Sequence, residues 1–444
     1  MSILLYFGIH ILYYTRIKAG MKCGHFPNTA KPKNMCYNEQ KGTAHIRRQQ
    51  LTGGGIVKLI NLHSTLVTCN DRLVEISGEH LYYTKEKSME NRQYLFLLDY
   101  NWAEQKRRVL AGYQMTKPDY VMHYFPCKEA FLIVIENRGS EAWILKIDRY
   151  TGKELCLAQA KFAGNFMDCC ALDADHVVFY SQASQRDASL FREYRRQTGY
   201  RQAVYLYDLQ KDSCWSVQDS RICSGACLLP FVGGGEQKLL ITKAFGSEEE
   251  KRKAFRNRRW VGEHIEDCVW TCTLQDFTEA VEQERPEIQM SCILRAGTEG
   301  MVRFAGEDCD NLYFRALYFP AEDQHILSVS KHTGVKKDVA PLNLLPGENE
   351  VQFVADSGRF WKLTAGNAGT IHVQGIVNST IDASYDGELG SLIACLEDRY
   401  LILRDVMSDE KDSFVFSSIC DTKTGKVQEL EGNCAVKGNI MVLF

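Results

Sequence analysis

Arginine interleaved with aromatic rings gives this chain its most concentrated chemistry. In Lys251-Arg-Lys-Ala-Phe-Arg-Asn-Arg-Arg-Trp260, the side chains of Arg252, Arg256 and Arg259 fall at helical spacing and share one face, with Phe255 beside them and Trp260 next in line. A shorter segment, Leu190-Phe-Arg-Glu-Tyr-Arg-Arg196, groups Arg192, Arg195 and Arg196 in the same manner. Guanidinium forks grip phosphate or carboxylate while flat rings stack on bases or cover acidic peptide. Both segments therefore read as contacts for a protein or polyanionic partner, nucleic acid included. The alternative is a solvated helix whose arginines pair with Glu248 to Glu250, Glu263 and Glu266, contacts that are worth little at a surface.

Carboxylates are the second source of chemistry. Glu263, Glu266 and Asp267 cluster with His264, and Asp308 and Asp310 share a turn. Glycoside cleavage needs two carboxyl groups about 5 to 10 Å apart, a distance that spacing along the chain does not supply, so the catalytic residues stay unassigned.

Metal and nucleotide signals are weak. Cys23, His25, Cys36 and His45 lack the paired C-x2-C knuckles of a zinc ribbon. Cys169 and Cys170 would face opposite sides of a strand, whereas Cys268 and Cys272 would share a side but sit about four rises of ~3.3 Å apart, too far for a disulfide. Gly233-Gly-Gly-Glu-Gln-Lys238 has the glycines of a phosphate loop without its Lys-Ser/Thr ending and reads as a turn. No nucleophile elbow and no His-Glu-x-x-His pair occurs in the sequence, and Asn378-Ser-Thr380 fits a glycosylation acceptor only in an exported chain. No cofactor and no metal are expected.

The net charge of −3 is too small to name a partner from the whole-molecule field. The 17 cysteines follow no framework spacing, and many lie in apolar runs, as Cys156, Cys272, Cys395 and Cys420 do. A reducing, cytoplasmic setting is the simpler reading. The alternative rests on Ser2 to Tyr14, an apolar run broken by His10 and shorter than the ~20 residues of a spanning helix, which would anchor or export the chain. Translation beginning at Met21 would remove that segment. Residues 1–50 are expected to form a loose leader, with membrane contact only if residues 1–20 are a genuine segment, and 51–444 a single domain.

The elements that must position these residues announce themselves by repetition. Trp143-Ile-Leu-Lys-Ile-Asp148 runs into Arg-Tyr-Thr-Gly-Lys153 and a second strand at Glu154, and the pattern returns at Ser417-Ser-Ile-Cys-Asp421-Thr-Lys-Thr-Gly-Lys426. Weaker copies end at Gly334 and Asp212. One hairpin recurring every several tens of residues is what small antiparallel sheets packed in a ring require. We therefore expect an all-β chain, a β-propeller of about seven four-stranded blades with two helical insertions.

Those blades are read at Leu73–Gly112, His123–Gln159, Phe166–Ser220, Gly225–Glu284, Gly297–Pro341, Glu350–Asn378 and Gly390–Asn433, with six or eight left open. Leu51–Thr68 and Cys434–Phe444 have no hairpin of their own. Paired in one composite blade, they would hide each other's edges and close the ring. The insertions, Ser181–Gln202 and Ala244–Glu266, read as helical, with Ser189 or Ser247 as caps, and are expected on one rim of neighbouring blades.

The turns at Asp148–Lys153 and Asp421–Lys426 resemble the Asp-x-x-Thr-Gly-Lys turn of pyrroloquinoline-quinone-like propeller repeats, a pattern shared loosely with bacterial lipoprotein propellers of assembly machines. Leu155 and Val427 stand where that family places a blade-docking tryptophan, and no cofactor-binding residue can be matched. What the resemblance implies is the propeller class, without a quinone. The functional expectation is a non-enzymatic scaffold that binds its partner through the loop rim, the inserted helices being long departures from a compact repeat. The alternative is a propeller hydrolase or lyase acting on carbohydrate through axial carboxylates.

Overall fold

The computed structural model describes residues 46–50, 56–61, 72–89, 92–115, 122–136, 139–182, 192, 202–223, 226–244, 268–296, 300–318, 323–341, 351–356, 358–366, 369–408, 413–438 and 440–443. Seven four-stranded antiparallel sheets follow one another along the chain. Blade 1 is Arg72–Ser77, His80–Met89, Arg92–Asn101 and Lys106–Met115, and blade 2 is Met122–Pro126, Ala130–Glu136, Glu141–Asp148 and Glu154–Lys161. Blade 3 is Asn165–Ala171, His176–Gln182, Gln202–Asp208 and Ser213–Ser216, and blade 4 is Cys227–Gly233, Glu236–Ala244, Cys268–Thr273 and Ser291–Arg295. Blade 5 is Gly300–Glu307, Asn311–Tyr318, Asp323–Ser330 and Lys336–Pro341, and blade 6 is Val351–Asp356, Arg359–Ala365, Thr370–Val377 and Asp382–Asp386. Blade 7 is Leu392–Leu396, Tyr400–Ser408, Ser413–Asp421 and Lys426–Glu431.

The strands left over at both ends make an eighth four-stranded sheet. Ile56–Asn61 pairs with Ile46–Gln50 on one side and, in parallel, with Ile440–Leu443 on the other, and Cys434–Lys437 completes it. The composite closure expected from the unpartnered edges is thus present. Its pairing starts at Ile46, ahead of the residue-50 boundary read from the sequence.

Why the strands are continuous apolar runs follows from the ring. Each sheet is sandwiched between two others, so both faces are buried and the period-2 alternation sorts side chains between neighbours rather than between core and water. In blade 2, Phe131 and Ile133 pack with Tyr82, Leu97 and Leu110 of blade 1, while Leu132 and Val134 pack with Phe166, Val177 and Phe179 of blade 3. The same sorting recurs around the ring. Tyr400 and Ile402 of blade 7 meet Met441 and Leu443 of the composite sheet, whose Ile60 and Val442 meet Ile76, Leu81 and Phe96 of blade 1. Each fully buried aliphatic or aromatic side chain in such an interface contributes about 1.5–3 kcal/mol.

The Asp-x-x-Thr-Gly-Lys turn is a local device. Asp148 Oδ1 accepts from the backbone N–H groups of Tyr150 and Thr151 and from the Thr151 hydroxyl, and these bonds hold its carboxyl below the usual range. Gly152 then turns at φ 71°, where a Cβ would also sit 3.1 Å from the Leu110 carbonyl of blade 1. Arg149, in the same turn, pairs with Glu75, donates to the Cys127 carbonyl at 2.8 Å and lies over the Tyr82 and Phe131 rings. The turn therefore clamps blade 1 to blade 2.

Several boundaries move. The fourth strands of blades 4 and 6, Ser291–Arg295 and Asp382–Asp386, lie beyond the limits read at Glu284 and Asn378. In blade 4 the reason is a helix, α2 (Leu274–Glu282), inserted between the third and fourth strands and preceded by a short α1 (Ser220–Cys223) between blades 3 and 4. The Thr273 side chain caps α2 by accepting from the Asp276 N–H. Ser181, Gln182, Gln202 and Ala244, read as insertion, belong to strands.

Candidate functional site

Because neighbouring strands run antiparallel, the connections separate onto two rims. The turns between first and second and between third and fourth strands leave one rim; the connections between second and third strands, and from blade to blade, leave the other. The first, the turn rim, is closed by its own side chains. Asn101, Asp208, Ser330 and Asp421 each accept one or two backbone N–H bonds at the position Asp148 holds in blade 2. Arg399 adds a two-point contact to Asp421, which drops that carboxyl far below its usual range. At the first residue of the second strand in blades 1 and 3, one position past that of Arg399, His80 stands 2.8 Å from Asp99 and His176 stands 3.7 Å from Asp208.

The other rim carries the long connections. Segments 183–201 and 245–267 join the second and third strands of blades 3 and 4, so both rise from the same rim of adjacent blades. Their bases are fixed by strand pairing, Gln182 opposite Gln202 and Ala244 opposite Cys268. Of the arginine-aromatic residues, Arg192 is helical and exposed. Arg195, Arg196, Arg252, Phe255, Arg256, Arg259 and Trp260 lie outside the described residues, as do Glu263, His264, Glu266 and Asp267 and the Cys23, His25, Cys36 and His45 set.

What the sequence reading missed is the anchor between these two blades. Asp219, with a side chain only 1% exposed, meets Arg221 through both carboxylate oxygens and also accepts from the Ile288 N–H. Arg221 donates to the Ile288 carbonyl and lies 5.0 Å from the Trp270 ring centre, with Arg295 also over that ring. Leu274, Phe277, Ala280 and Val281 of α2 pack with Val217, Ile222 and Leu228 in the same cluster. A signal was available: Thr273, Asp276 and the spacing of Leu274, Phe277 and Val281 spell a capped amphipathic helix.

Of the carboxylates read as catalytic candidates, Asp308 is described and engaged. Asp308 is a turn acceptor for the Asp310 and Asn311 N–H groups and the Tyr313 hydroxyl; burial pushes its carboxyl up, and these bonds more than offset it. Among described first strands, Glu75 meets Arg149, Glu307 meets Lys331 at 2.7 Å, and Asp168 lies 4.0 Å from His123. Burial lifts the Cys170 and Cys272 thiols to about 12, which keeps them protonated and poor nucleophiles at neutral pH. Among the described residues no group of His, Cys, Asp and Glu is arranged to hold a metal ion. Gly234 and Gly235 form the turn expected of them, both at positive φ between the first two strands of blade 4. Asn378 donates to the Gly358 carbonyl, and Ser379 and Thr380 bond Asp398, so the acceptor triplet ties blade 6 to blade 7.

No protein-family model matches the chain, and no curated protein matches it. Among solved structures, an uncharacterized protein of Listeria monocytogenes is 12% identical, with a TM-score of 0.41 over 85% of this chain and 98% of that one. Oligopeptidase B of Leishmania major is 8% identical, with a TM-score of 0.45 over 81% of this chain and 48% of that one, so the chain spans about half its length. The β-propeller domain of the Trilobed protease of Pyrococcus furiosus is 11% identical, with a TM-score of 0.38 over 82% of this chain and 96% of that one. At this level of likeness the fold rests on the chain's own strand pairing.

Proposed function

We propose that the chain is a non-enzymatic propeller scaffold that presents its loop rim to a protein or polyanionic partner. One observation carries this reading: the strand ends that flank both long arginine-aromatic segments, Gln182 with Gln202 and Ala244 with Cys268, lie on the same rim of adjacent blades, which Asp219, Arg221 and Trp270 hold together. Long connections on a rigid base are where recognition resides in repeat folds. The opposite rim, whose turns are satisfied by their own acceptors, offers less to a partner. The test is affinity capture from native lysate with the full chain beside a variant carrying Arg252→Glu, Arg256→Glu and Arg259→Glu. A partner held by the first and lost by the second supports the reading; equal or empty captures reject it.

A second reading, carbohydrate cleavage, is favoured by Glu136 and Asp168. Burial raises the Glu136 carboxyl, as suits a general acid, and Asp168 is an exposed carboxylate on the first strand of the next blade. Oligosaccharide turnover abolished by Asp168→Asn would favour it over the scaffold.

A further inference from the structure

Blade 3 carries one of the long rim segments, and the other end of the same strand pair holds a histidine between carboxylates. His176 and Asp208 are partners at the turn-rim end of the second and third strands, and Gln182 and Gln202 are partners at the loop-rim end. The His176 Nδ1 stands 3.0 Å from both oxygens of Asp173, and its Nε2 stands 3.7 Å from Asp208 Oδ2. Both ring nitrogens thus face anions, an arrangement that suits the doubly protonated ring.

The groups around this ring tie three blades together. From blade 2, Lys146 Nζ reaches Asp175 Oδ1 at 2.6 Å. From blade 4, Gln237 donates to the Leu172 carbonyl, and Glu282 of α2 meets Lys211, which also lies 3.4 Å from Asp208. The turn itself closes through Asp173 Oδ1, which accepts from the Asp175 and His176 N–H groups, and through the Leu209 N–H on the Asp175 carbonyl. Among the described residues, with a neutral imidazole, the carboxylates of Asp173, Asp175, Asp208 and Glu282 are met by the ammonium groups of Lys146 and Lys211, two fewer positive than negative charges. Protonation of His176 halves that deficit. Cys127, beside Asp173 and Asp175, adds no charge, because burial lifts its thiol to about 11.

We propose that His176 is a pH-sensitive clamp: its protonated ring locks the turn-rim corner of blades 2, 3 and 4 and thereby stiffens the strand pair that bears segment 183–201. The direction of its titration agrees. Burial alone would lower the imidazole, but the contacts with Asp173, Asp208 and Asp175 outweigh burial and raise it. A raised folded-state value makes the clamp's contribution complete below the ordinary imidazole range and removes it as pH climbs through the raised midpoint.

Blade 7 supplies an internal comparison: Tyr400 is the strand partner of Asp421 as His176 is of Asp208, and the preceding residue, Arg399, holds Asp421 through a two-point contact that does not titrate near neutrality. The experiment is hydrogen exchange of the full chain at about pH 5.5 and about pH 8.5, corrected for intrinsic rates. It compares amides of 203–208 with those of 400–404. We expect protection of 203–208 relative to 400–404 to fall about 3- to 10-fold at the higher pH, the span of a modest imidazole shift. His176→Arg should hold the ratio high at both pH values, and His176→Gln should hold it low at both. An unchanged wild-type ratio overturns the proposal, as does a His176→Gln protein that keeps the pH dependence. The wild-type ratio decides even if a variant fails to fold.

Discussion

The two rims of this propeller are made from the same sheets and are opposite in character. On the turn rim a single acceptor side chain at the end of a third strand, such as Asp148, Asp208 or Asp421, satisfies the backbone of the turn, and a nearby cation or ring then fastens the next blade. On the loop rim most second-to-third-strand connections are also short, as between Met89 and Arg92, but blades 3 and 4 place long segments between Gln182 and Gln202 and between Ala244 and Cys268. The exception on the turn rim is blade 4, where α2 lies between the third and fourth strands. Sequence change on the two rims should therefore have opposite signatures, stability on one and recognition on the other.

The largest effect should come from opening the ring, which both rims depend on. Deletion of residues 439–444 removes the buried side chains of Met441, Val442 and Leu443 and should cost at least about 5 kcal/mol, with one cooperative loss of structure on thermal denaturation. An unchanged melting temperature would refute the closure. Next, Asp219→Ala strips the partner from Arg221 beneath the loop rim and should destabilise the protein by about 3 kcal/mol in urea titration, because it leaves a half-buried cation without its carboxylate. Equal stability would show that the base is not the rigid part.

Gly152→Ala tests the turn rim alone. The left-handed backbone and the nearby Leu110 carbonyl should make it cost about 1–2 kcal/mol, and partner capture should be unaffected. Acid titration sharpens the same point. Asp421 has its folded-state value lowered chiefly by the Arg399 hydrogen bond, so its contribution is present above the ordinary carboxylate range and is lost as pH falls below it. The stability gap between wild type and Asp421→Asn should therefore shrink between about pH 5 and about pH 2.5. A constant gap would detach that turn from the ion pair. Smallest in stability, the Arg252→Glu, Arg256→Glu, Arg259→Glu protein should unfold within about 0.5 kcal/mol of wild type while losing its partner. A marked drop in its melting temperature would assign those arginines to the scaffold.

The ring was legible because its determinants are local and repeated. The apolar run Phe131–Val134 and the turns at Asp148 and Asp421 each carry a strand or a turn within a few residues, and the unpartnered ends at Leu51 and Cys434 implied the composite sheet. Blade 4 was misjudged at its fourth strand because α2 separates Thr273 from Ser291, and the Thr273 cap was passed over in favour of the more conspicuous charge at Lys251–Arg259. The anchor at Asp219 was illegible for another reason: its partners Trp270 and Ile288 are brought to it only by blade packing. His176 was likewise invisible, since its carboxylates come from a turn and from a strand beyond segment 183–201.

The parallel seam between Ile56–Asn61 and Ile440–Leu443 also dictates an order of events at birth. Strands from the two extremes of the described chain must meet, and Lys437 reaches the Ile76 carbonyl across 361 residues of sequence. Seven sheets can form as they leave the ribosome, but the eighth waits until Ile440–Leu443 has cleared the exit tunnel, and contacts so distant in sequence form slowly. Until that seam forms, Ile76 and Leu81 at one end and Tyr400 and Ile402 at the other lack the Ile60, Met441, Val442 and Leu443 side chains that cover them in the folded chain. A holding chaperone that recognises exposed apolar strand edges would find its substrate in that interval and lose it once the seam shuts.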